Sequence, residues 1–310
     1  MQHHYALNSL FLNNTWLTIG SFDGVHRGHQ EIVRRLSSGA HAQGAQAVVL
    51  TFHPHPKKVL GKSKDFYYLT SPVERADILG NYGIDIVVTF SFDMQVAGTS
   101  ARDFVKELHA HLGFTRLWVG PDFALGRKRE GDVPTLRLLG DEFDFIVETI
   151  DPVKVGDSQV SSSKIRALLG EGDVEQVSAL LNRLYSIGGT VVAGDGRGRT
   201  IGIPTANLRV WEEKQLPRSG VYVCHALVGD QNHGAVTNIG IRPTFDHRTM
   251  ALQVEAHLLD FDDNLYGQEI KLEFLYRLRD ERRFAGPQAL VAQIHQDIEQ
   301  ARVMLVEKSS

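Results

Sequence analysis

Two histidines stand three residues apart in Gly20-Ser21-Phe22-Asp23-Gly24-Val25-His26-Arg27-Gly28-His29. On a helix, that spacing puts both side chains on one face. The segment falls between a short apolar run, Trp16–Ile19, and a helix whose apolar face is marked by Ile32, Val33 and Leu36. A helix start offers unpaired N–H groups and a partial positive charge, which suits a phosphate. The dipole alone supplies only about 0.3–1 kcal/mol when exposed. The imidazoles of His26 and His29 would therefore have to donate to phosphoryl oxygens as charge builds. Gly20, Gly24 and Gly28 would let the backbone approach the anion, with Asp23 in the turn. An Asp-Gly surface turn with two solvated histidines is the competing reading. Three glycines and the strand–turn–helix setting favour phosphate.

A second group is Ser161-Ser162-Ser163-Lys164-Ile165-Arg166. Serine hydroxyls cap helices, and Ile165, Leu168 and Leu169 define one here. Lys164 and Arg166 put positive charge at the wrong end of the dipole. An anion would relieve that conflict, although a serine cap with solvated basic residues reads equally well. His53-Pro54-His55-Pro56 follows an apolar strand, and Gly120-Pro121-Asp122 follows another. Both fall where an open parallel sheet places its ligands. His53 and His55 suit either a metal or a proline-stiffened loop. Leu60-Gly61-Lys62-Ser63 ends like a P-loop, but Pro56 stands where the leading glycine is needed.

The third group is Gly194-Asp195-Gly196-Arg197-Gly198-Arg199-Thr200, continuing through Pro204-Thr205-Ala206-Asn207. Gly196, Arg197 and Gly198 could close backbone amides over phosphates. Thr205 and Asn207 offer neutral oxygens suited to Mg²⁺, which keeps waters and substrate phosphates as its other ligands. A flexible hairpin loop is the bland alternative. Glu255 lies on the polar side of an alternating strand with Gln253 and His257. A carboxylate held on a strand can act as general base, whereas a lone Glu is more often a solvated surface acid.

These groups need elements to hold them. Runs at Trp16–Ile19, Ala47–Phe52, Ile86–Phe90, Leu117–Val119 and Phe145–Val147 alternate with helical patterns, the clearest at Ala101, Phe104, Val105, Leu108 and Leu112. Repeated βα units predict an α/β doubly wound parallel sheet. Period-2 patterns take over later: Leu252, Val254, Ala256 and Leu258, then Ile270, Leu272 and Phe274. With Val221–Val223 and Ala235–Val236 they predict an antiparallel barrel or sandwich. A final helix carries Leu290, Ile294, Ile298, Ala301 and Leu305 on one stripe. The change of character places a junction near Asn182, giving units 1–182 and 183–310.

At 310 residues, 42% hydrophobic and 23% charged, the chain can bury cores without staples, and disorder or coiled coil is excluded as its main character. A net charge of −4 supplies no concentrated positive field, so nucleic acid is not an expected partner. Cys224 is the lone cysteine, which excludes an internal disulfide. No run approaches the roughly 20 apolar residues that span a bilayer, and no basic-then-apolar leader opens the chain. No membrane association is expected, and the expected location is the cytoplasm.

Taken together, the segments resemble the bacterial bifunctional riboflavin kinase/FMN adenylyltransferase family, also called FAD synthetases. The likeness rests on Phe22–Gln30, Pro54–Pro56, Ser161–Arg166, Gly196–Asn207, Gly220–Tyr222, Asn238–Phe245 and Val254–Phe261. The His26-x-Gly28-His29 element alone belongs to a wide nucleotidyltransferase superfamily. The resemblance implies a nucleotidyltransferase-like first unit that joins AMP from ATP to FMN, giving FAD and pyrophosphate. It implies a barrel that phosphorylates riboflavin to FMN with ATP and Mg²⁺. On that likeness Glu255 is the kinase base, and Thr205 and Asn207 hold Mg²⁺ and phosphates. His26 and His29 stabilise the triphosphate, with Ser162, Ser163 and Arg166 as a clamp. His55, Asp122 and Arg279 line a flavin or nucleotide pocket. Asn182-Arg183-Leu184-Tyr185 departs from the Gly-Arg-Pro-Tyr common in the family, Pro121 replaces a common acid, Ser163 a frequent Thr, and Arg283 a common Lys. A chain with one decayed activity, or a flavin-binding regulator without turnover, is the alternative. The retained Glu255 argues against the regulator.

Overall fold

The computed structural model describes residues 1–61, 66–151, 154–155, 158–194, 202–243 and 250–309. The chain divides into two compact units, Met1–Ser162 and Ser163–Ser310.

Six parallel strands form the sheet of the first unit: β1 (Gln2–His4), β2 (Thr15–Ile19), β3 (Gln46–His53), β4 (Ile86–Ser91), β5 (Phe114–Val119) and β8 (Ile146–Thr149). A short antiparallel pair, β6 (Ala124–Leu125) and β7 (Gly131–Asp132), follows β5. The helices are α1 (Arg27–Ala42), α2 (Pro56–Val59), α3 (Pro72–Gly80), α4 (Met94–Gly98), α5 (Ala101–Leu112) and α6 (Val133–Phe143). Both faces of the sheet are buried, as parallel sheets require. Successive strand residues point to opposite sides. Leu17, Ile19, Val48 and Leu50 pack with Phe104, Leu108 and Leu136 of α5 and α6. Trp16, Ala47 and Val49 pack with Val33 and Leu36 of α1 and Leu79 of α3.

The strand order is β1-β4-β3-β2-β5-β8. The chain winds from β2 outward through β3 to β4, then returns to β5 on the other side of β2. The carboxyl ends of β2 and β5 therefore meet at the topological switch, where such sheets open a crevice. The turn bearing His26 and the segment at Asp122 leave from these two ends. The five strands expected from the apolar runs are all present. The edge strand β1 was not foreseen, because Gln2, His3 and His4 lack an apolar pattern.

The two-residue strands β9 (Lys154–Val155) and β10 (Ser158–Gln159) precede α7 (Ser162–Glu171) and α8 (Val174–Leu181). The second unit is a closed antiparallel barrel in the order β11-β12-β15-β14-β13-β16. Its strands are β11 (Tyr185–Val192), β12 (Ala206–Val210), β13 (Gly220–Val228), β14 (Gln231–Pro243), β15 (Met250–Leu258) and β16 (Glu269–Arg279). Closure leaves no edge strand to pair with another chain. The sequence expects α7 and α8 at the end of the first unit, but they pack with the barrel. The Arg218 amide donates to the Leu169 carbonyl at 2.8 Å, and Gly172 lies so near Arg277 that a Cβ would meet Nε at 2.5 Å.

The last helix, α9 (Pro287–Ser309), covers one side of the barrel with Ile294, Ile298, Ala301 and Leu305 against Val221, Val223 and Leu275. Asp297 pins it. Its buried carboxylate accepts from Arg279 Nε at 3.0 and 3.1 Å and from Nη2 at 2.7 Å. Asp297→Ala should lower the stability of the barrel unit by about 2 kcal/mol, the scale of a charge-assisted hydrogen bond lost from a partly buried pair. An unchanged denaturant midpoint would show that the clamp does not hold the helix.

Candidate active sites

In the first unit, everything converges on the turn from β2 into α1. The chain there adopts a conformation that costs energy. Gly24 has φ +80°, but Phe22 (+45°) and Val25 (+39°) also lie at positive φ, which is disfavoured for a β-branched side chain. A Cβ on Gly24 would meet Leu69 Cδ1 at 2.7 Å. The turn holds because four of its groups are anchored. Both oxygens of the Asp23 carboxylate accept from the Leu69 amide at 3.1 Å, and Oδ1 also accepts from the Thr70 amide at 3.1 Å. The Thr70 hydroxyl donates to Asp23 Oδ1 at 3.2 Å and accepts from the Gly24 amide at 3.0 Å. The Ser21 carbonyl accepts from Thr51 Oγ1 at 2.9 Å, and the Asp23 carbonyl accepts from Ser162 Oγ at 2.8 Å.

The turn delivers His26 as the residue capping α1 and His29 one turn on. Their rings stack with centroids 3.7 Å apart and planes at 17°, and Phe22 lies against His29 at 5.0 Å. Nδ1 of His29 is sealed from solvent and has no hydrogen-bond partner among the described residues. Burial, then His26, then Arg75 hold the His29 imidazole well below its ordinary value near 6.5. The ring is thus neutral at pH 7. With no acceptor for Nδ1, the proton belongs on Nε2, because the other tautomer would bury an unsatisfied donor.

The structure joins Ser162 to this turn through the Asp23 carbonyl. Ser163, exposed, and Arg166, half-buried, occupy the first turns of α7. Asp23 itself requires correction. Its side chain is 1% exposed and turned inward to the 69–70 amides, so it braces the turn and has no face for a phosphate. His55 is likewise committed: its Nδ1 accepts from the Lys57 amide at 3.0 Å, capping α2, and its ring lies 4.4 Å from Phe66. Among the described residues no group of three His, Cys, Asp or Glu side chains could hold a metal ion. Asp122 is exposed, at the mouth of the switch.

In the barrel, Asn207 of β12, Glu255 of β15 and Asn238 of β14 stand directly opposite one another across three adjacent strands. Residues paired this way share a face of the sheet. Gln253, two residues before Glu255, donates to Asn207 Oδ1 at 2.6 Å. Gly194 closes against the Asn207 amide so tightly that a Cβ would meet Nδ2 at 2.2 Å. The His257 ring bonds the Pro204 carbonyl at 2.7 Å and fixes the approach to Thr205. Gly194, Thr205 and Asn207 line a cavity of about 520 Å³, together with Phe261, Asp262 and Tyr266. Gly196, Arg197 and Gly198 lie outside the described residues. Arg279, expected at a flavin or nucleotide pocket, is partly buried and its guanidinium is held by Asp297.

Sequence reasoning missed Asn238, Thr70 and Arg75. Asn238 sits in a run quoted above for its likeness only. Arg75 had a visible signal, a cation on the apolar face of a helix beside Ala76 and Leu79.

The arrangement is that of an open parallel sheet with a histidine turn at its switch, followed by a closed barrel with its own cavity. Family models match both parts: FAD synthetase over residues 9–164 and riboflavin kinase over residues 181–305. A bifunctional riboflavin kinase/FMN adenylyltransferase of Listeria monocytogenes is 35% identical over 95% of this chain and 93% of its own. The Escherichia coli K12 protein of that name is 36% identical over 91% and 90%. A solved structure described as a macrolide-efflux protein from Streptococcus pneumoniae superposes with a TM-score of 0.87, at 29% identity over 97% of this chain and 98% of that one. The chain belongs to the bifunctional riboflavin kinase/FMN adenylyltransferase family.

The lowered basicity of His29 has a directional consequence. An unfolded chain would protonate this residue near 6.5, while the folded site resists. Stability present at neutral pH is therefore lost progressively as pH falls below that value. Ring-proton NMR across pH 4–8 should place the His29 midpoint well below 6.5. A midpoint at or above 6.5 would contradict the sealed, neutral ring.

Proposed function

We propose that each unit carries one of the two reactions for which the family is named. The barrel transfers the γ-phosphoryl group of ATP to the riboflavin 5′-hydroxyl, and the parallel-sheet unit transfers AMP from ATP to the FMN phosphate with release of pyrophosphate. The observation that supports this reading best is the presence of both constellations, one per unit, each on rigid elements: the stacked His26/His29 pair at the switch and the Asn207–Glu255–Asn238 row beside the barrel cavity.

In the barrel, Glu255 accepts the proton of the attacking hydroxyl. Its register between two asparagines on a closed sheet fixes its backbone position, which general-base chemistry demands. Thr205 Oγ1 and Asn207 Oδ1 are hard, neutral oxygens beside the cavity, so the residues present fit Mg²⁺ bound mainly through phosphate and water. When bound, Mg²⁺ would neutralise charge on the transferred phosphoryl group. Gln253 orients the Asn207 amide, and Gly194 leaves it room.

In the sheet unit, the FMN phosphate displaces pyrophosphate at the α-phosphorus. Positioning and charge stabilisation suffice, with no covalent enzyme intermediate. The N–H groups at the start of α1 and the His29 Nε2 proton would donate to the triphosphate, with His26 stacked against His29. Gly24 and Gly28 let the backbone approach. Ser162 belongs to the frame of the turn, its hydroxyl donating to the Asp23 carbonyl. Asp122 borders the entrance. ATP, riboflavin and FMN are the small-molecule partners. A single cysteine, Cys224, allows no internal disulfide, which supports a cytoplasmic setting. No helix among the described residues is long and apolar enough to cross a membrane.

Incubation with riboflavin, ATP and Mg²⁺ should yield FMN and then FAD; formation of only one product would reduce the account to one unit. Glu255→Gln should lower FMN formation ~10²–10⁴-fold while FMN-to-FAD conversion persists. Equal loss of both would contradict separate sites. His29→Ala should raise the barrier to FAD formation by about 2–4 kcal/mol, as loss of one preorganised donor does. An unchanged rate would remove His29 from the site.

A further inference from the structure

Arg75 is one of the largest fully buried side chains in the protein, and no step above uses it. It sits on α3, whose start is set by a capping box between Ser71 and Glu74. A fully buried guanidinium is costly unless its charge and donors are matched. Four of its contacts reach the frame around the histidine turn. Nη1 donates to Thr51 Oγ1 at 2.9 Å and to the Phe52 carbonyl at 3.4 Å, both at the carboxyl end of β3. Nη2 donates to the Thr70 carbonyl at 3.3 Å and lies 3.6 Å from Asp23 Oδ1.

These contacts continue into the turn. Thr51, receiving from Arg75, donates onward to Ser21. Thr70, whose carbonyl receives from Arg75, holds Asp23 and Gly24 by its hydroxyl and amide. One guanidinium thus ties three of the four anchors of a strained segment, all but Ser162. Lysine could not replace it, because a single ammonium has no planar fork to span Thr51 on one side and Thr70 with Asp23 on the other.

We propose that Arg75 is a positioning residue for adenylyl transfer: through Thr51, Thr70 and Asp23 it holds the turn at the conformation that stacks His26 on His29. This rests on the assignment of adenylyl transfer to the sheet unit. Among the described residues, the titratable and charged groups that act on His29 are His26 on the same helix start and Arg75 from α3. Removing the Arg75 charge takes away one influence that keeps the His29 ring neutral.

The test uses the full chain, with riboflavin phosphorylation as the internal control. In Arg75→Gln, kcat for FMN-to-FAD conversion should fall at least tenfold per folded molecule with little change in KM for ATP. The acid limb of its pH profile should move to higher pH. Arg75→Lys should lose rate by a similar factor but leave the acid limb in place, since charge is kept and the fork is lost. Should Arg75→Gln fail to fold, Thr51→Val removes the hydroxyl through which Arg75 reaches Ser21, keeps the Arg75 charge and its contacts to Thr70 and Asp23, and should lower kcat several-fold with the limb unmoved. A role confined to stability predicts fewer folded molecules, normal turnover in those that remain, and no shift of the limb in any variant; that result overturns the proposal. If the unsubstituted chain makes FMN but no FAD, the failure lies with the assignment of the sheet unit.

Discussion

The carboxylate of Asp23, sealed inside the sheet unit, is the interaction on which the first site depends. A charge with so little access to water must be met by donors, and here it receives the amides of Leu69 and Thr70, a hydroxyl, and a guanidinium beyond them. The amides and the hydroxyl come from a segment 46 or 47 residues further along the chain. The carboxylate can be satisfied only when the segment, α3 and the end of β3 are all in place. The turn that follows β2 therefore cannot relax toward a more comfortable backbone without stranding a buried charge. The positive φ of Phe22 and Val25 is sustained in this way, and the histidine rings are stacked as its consequence.

On the proposed reading, the two units would control a triphosphate by different physical means. The sheet unit would offer a helix start and imidazole donors at a switch between parallel strands, where the ends of neighbouring strands diverge. The barrel is built differently. It places side chains by cross-strand register, so that an amide, a carboxylate and a second amide lie in line on three strands. Register admits little slippage in a closed sheet, because a shift of one residue would turn every side chain to the opposite face. Glu255 is consequently as firmly placed as the hydrophobic residues on either side of it.

The apolar runs of β2, β3, β4, β5 and β8 were legible because strands buried on both faces need continuous hydrophobicity, and the period-2 stretches of β15 and β16 because a barrel buries one face more deeply. The edge strand β1 carried no such mark. Strand β12 was hidden within the motif that ends at Asn207, where glycines and a proline read as loop. The histidine pair, Thr205 and Asn207 stand out as candidates by residue type and spacing, whereas Glu255 gains its candidate role only from the family resemblance. What could not be read was the direction in which charged groups point. Asp23 and Arg279 looked like ligand-facing residues, yet each is matched by a distant opposite charge or amide, Arg75 with the 69–70 segment in one case and Asp297 in the other. Such pairings are long-range and leave no periodic trace. Arg75 was visible as a misplaced cation on an apolar helix face, but its partners were not.

The central claim is that one polypeptide holds two independent triphosphate sites. Calorimetric titration with a non-hydrolysable ATP analogue, with flavin and Mg²⁺ present, measures this directly. The account predicts two saturable sites per chain, with Glu255→Gln leaving the sheet site and His29→Ala leaving the barrel site intact. A single site per chain, lost or kept whichever residue is changed, would contradict it.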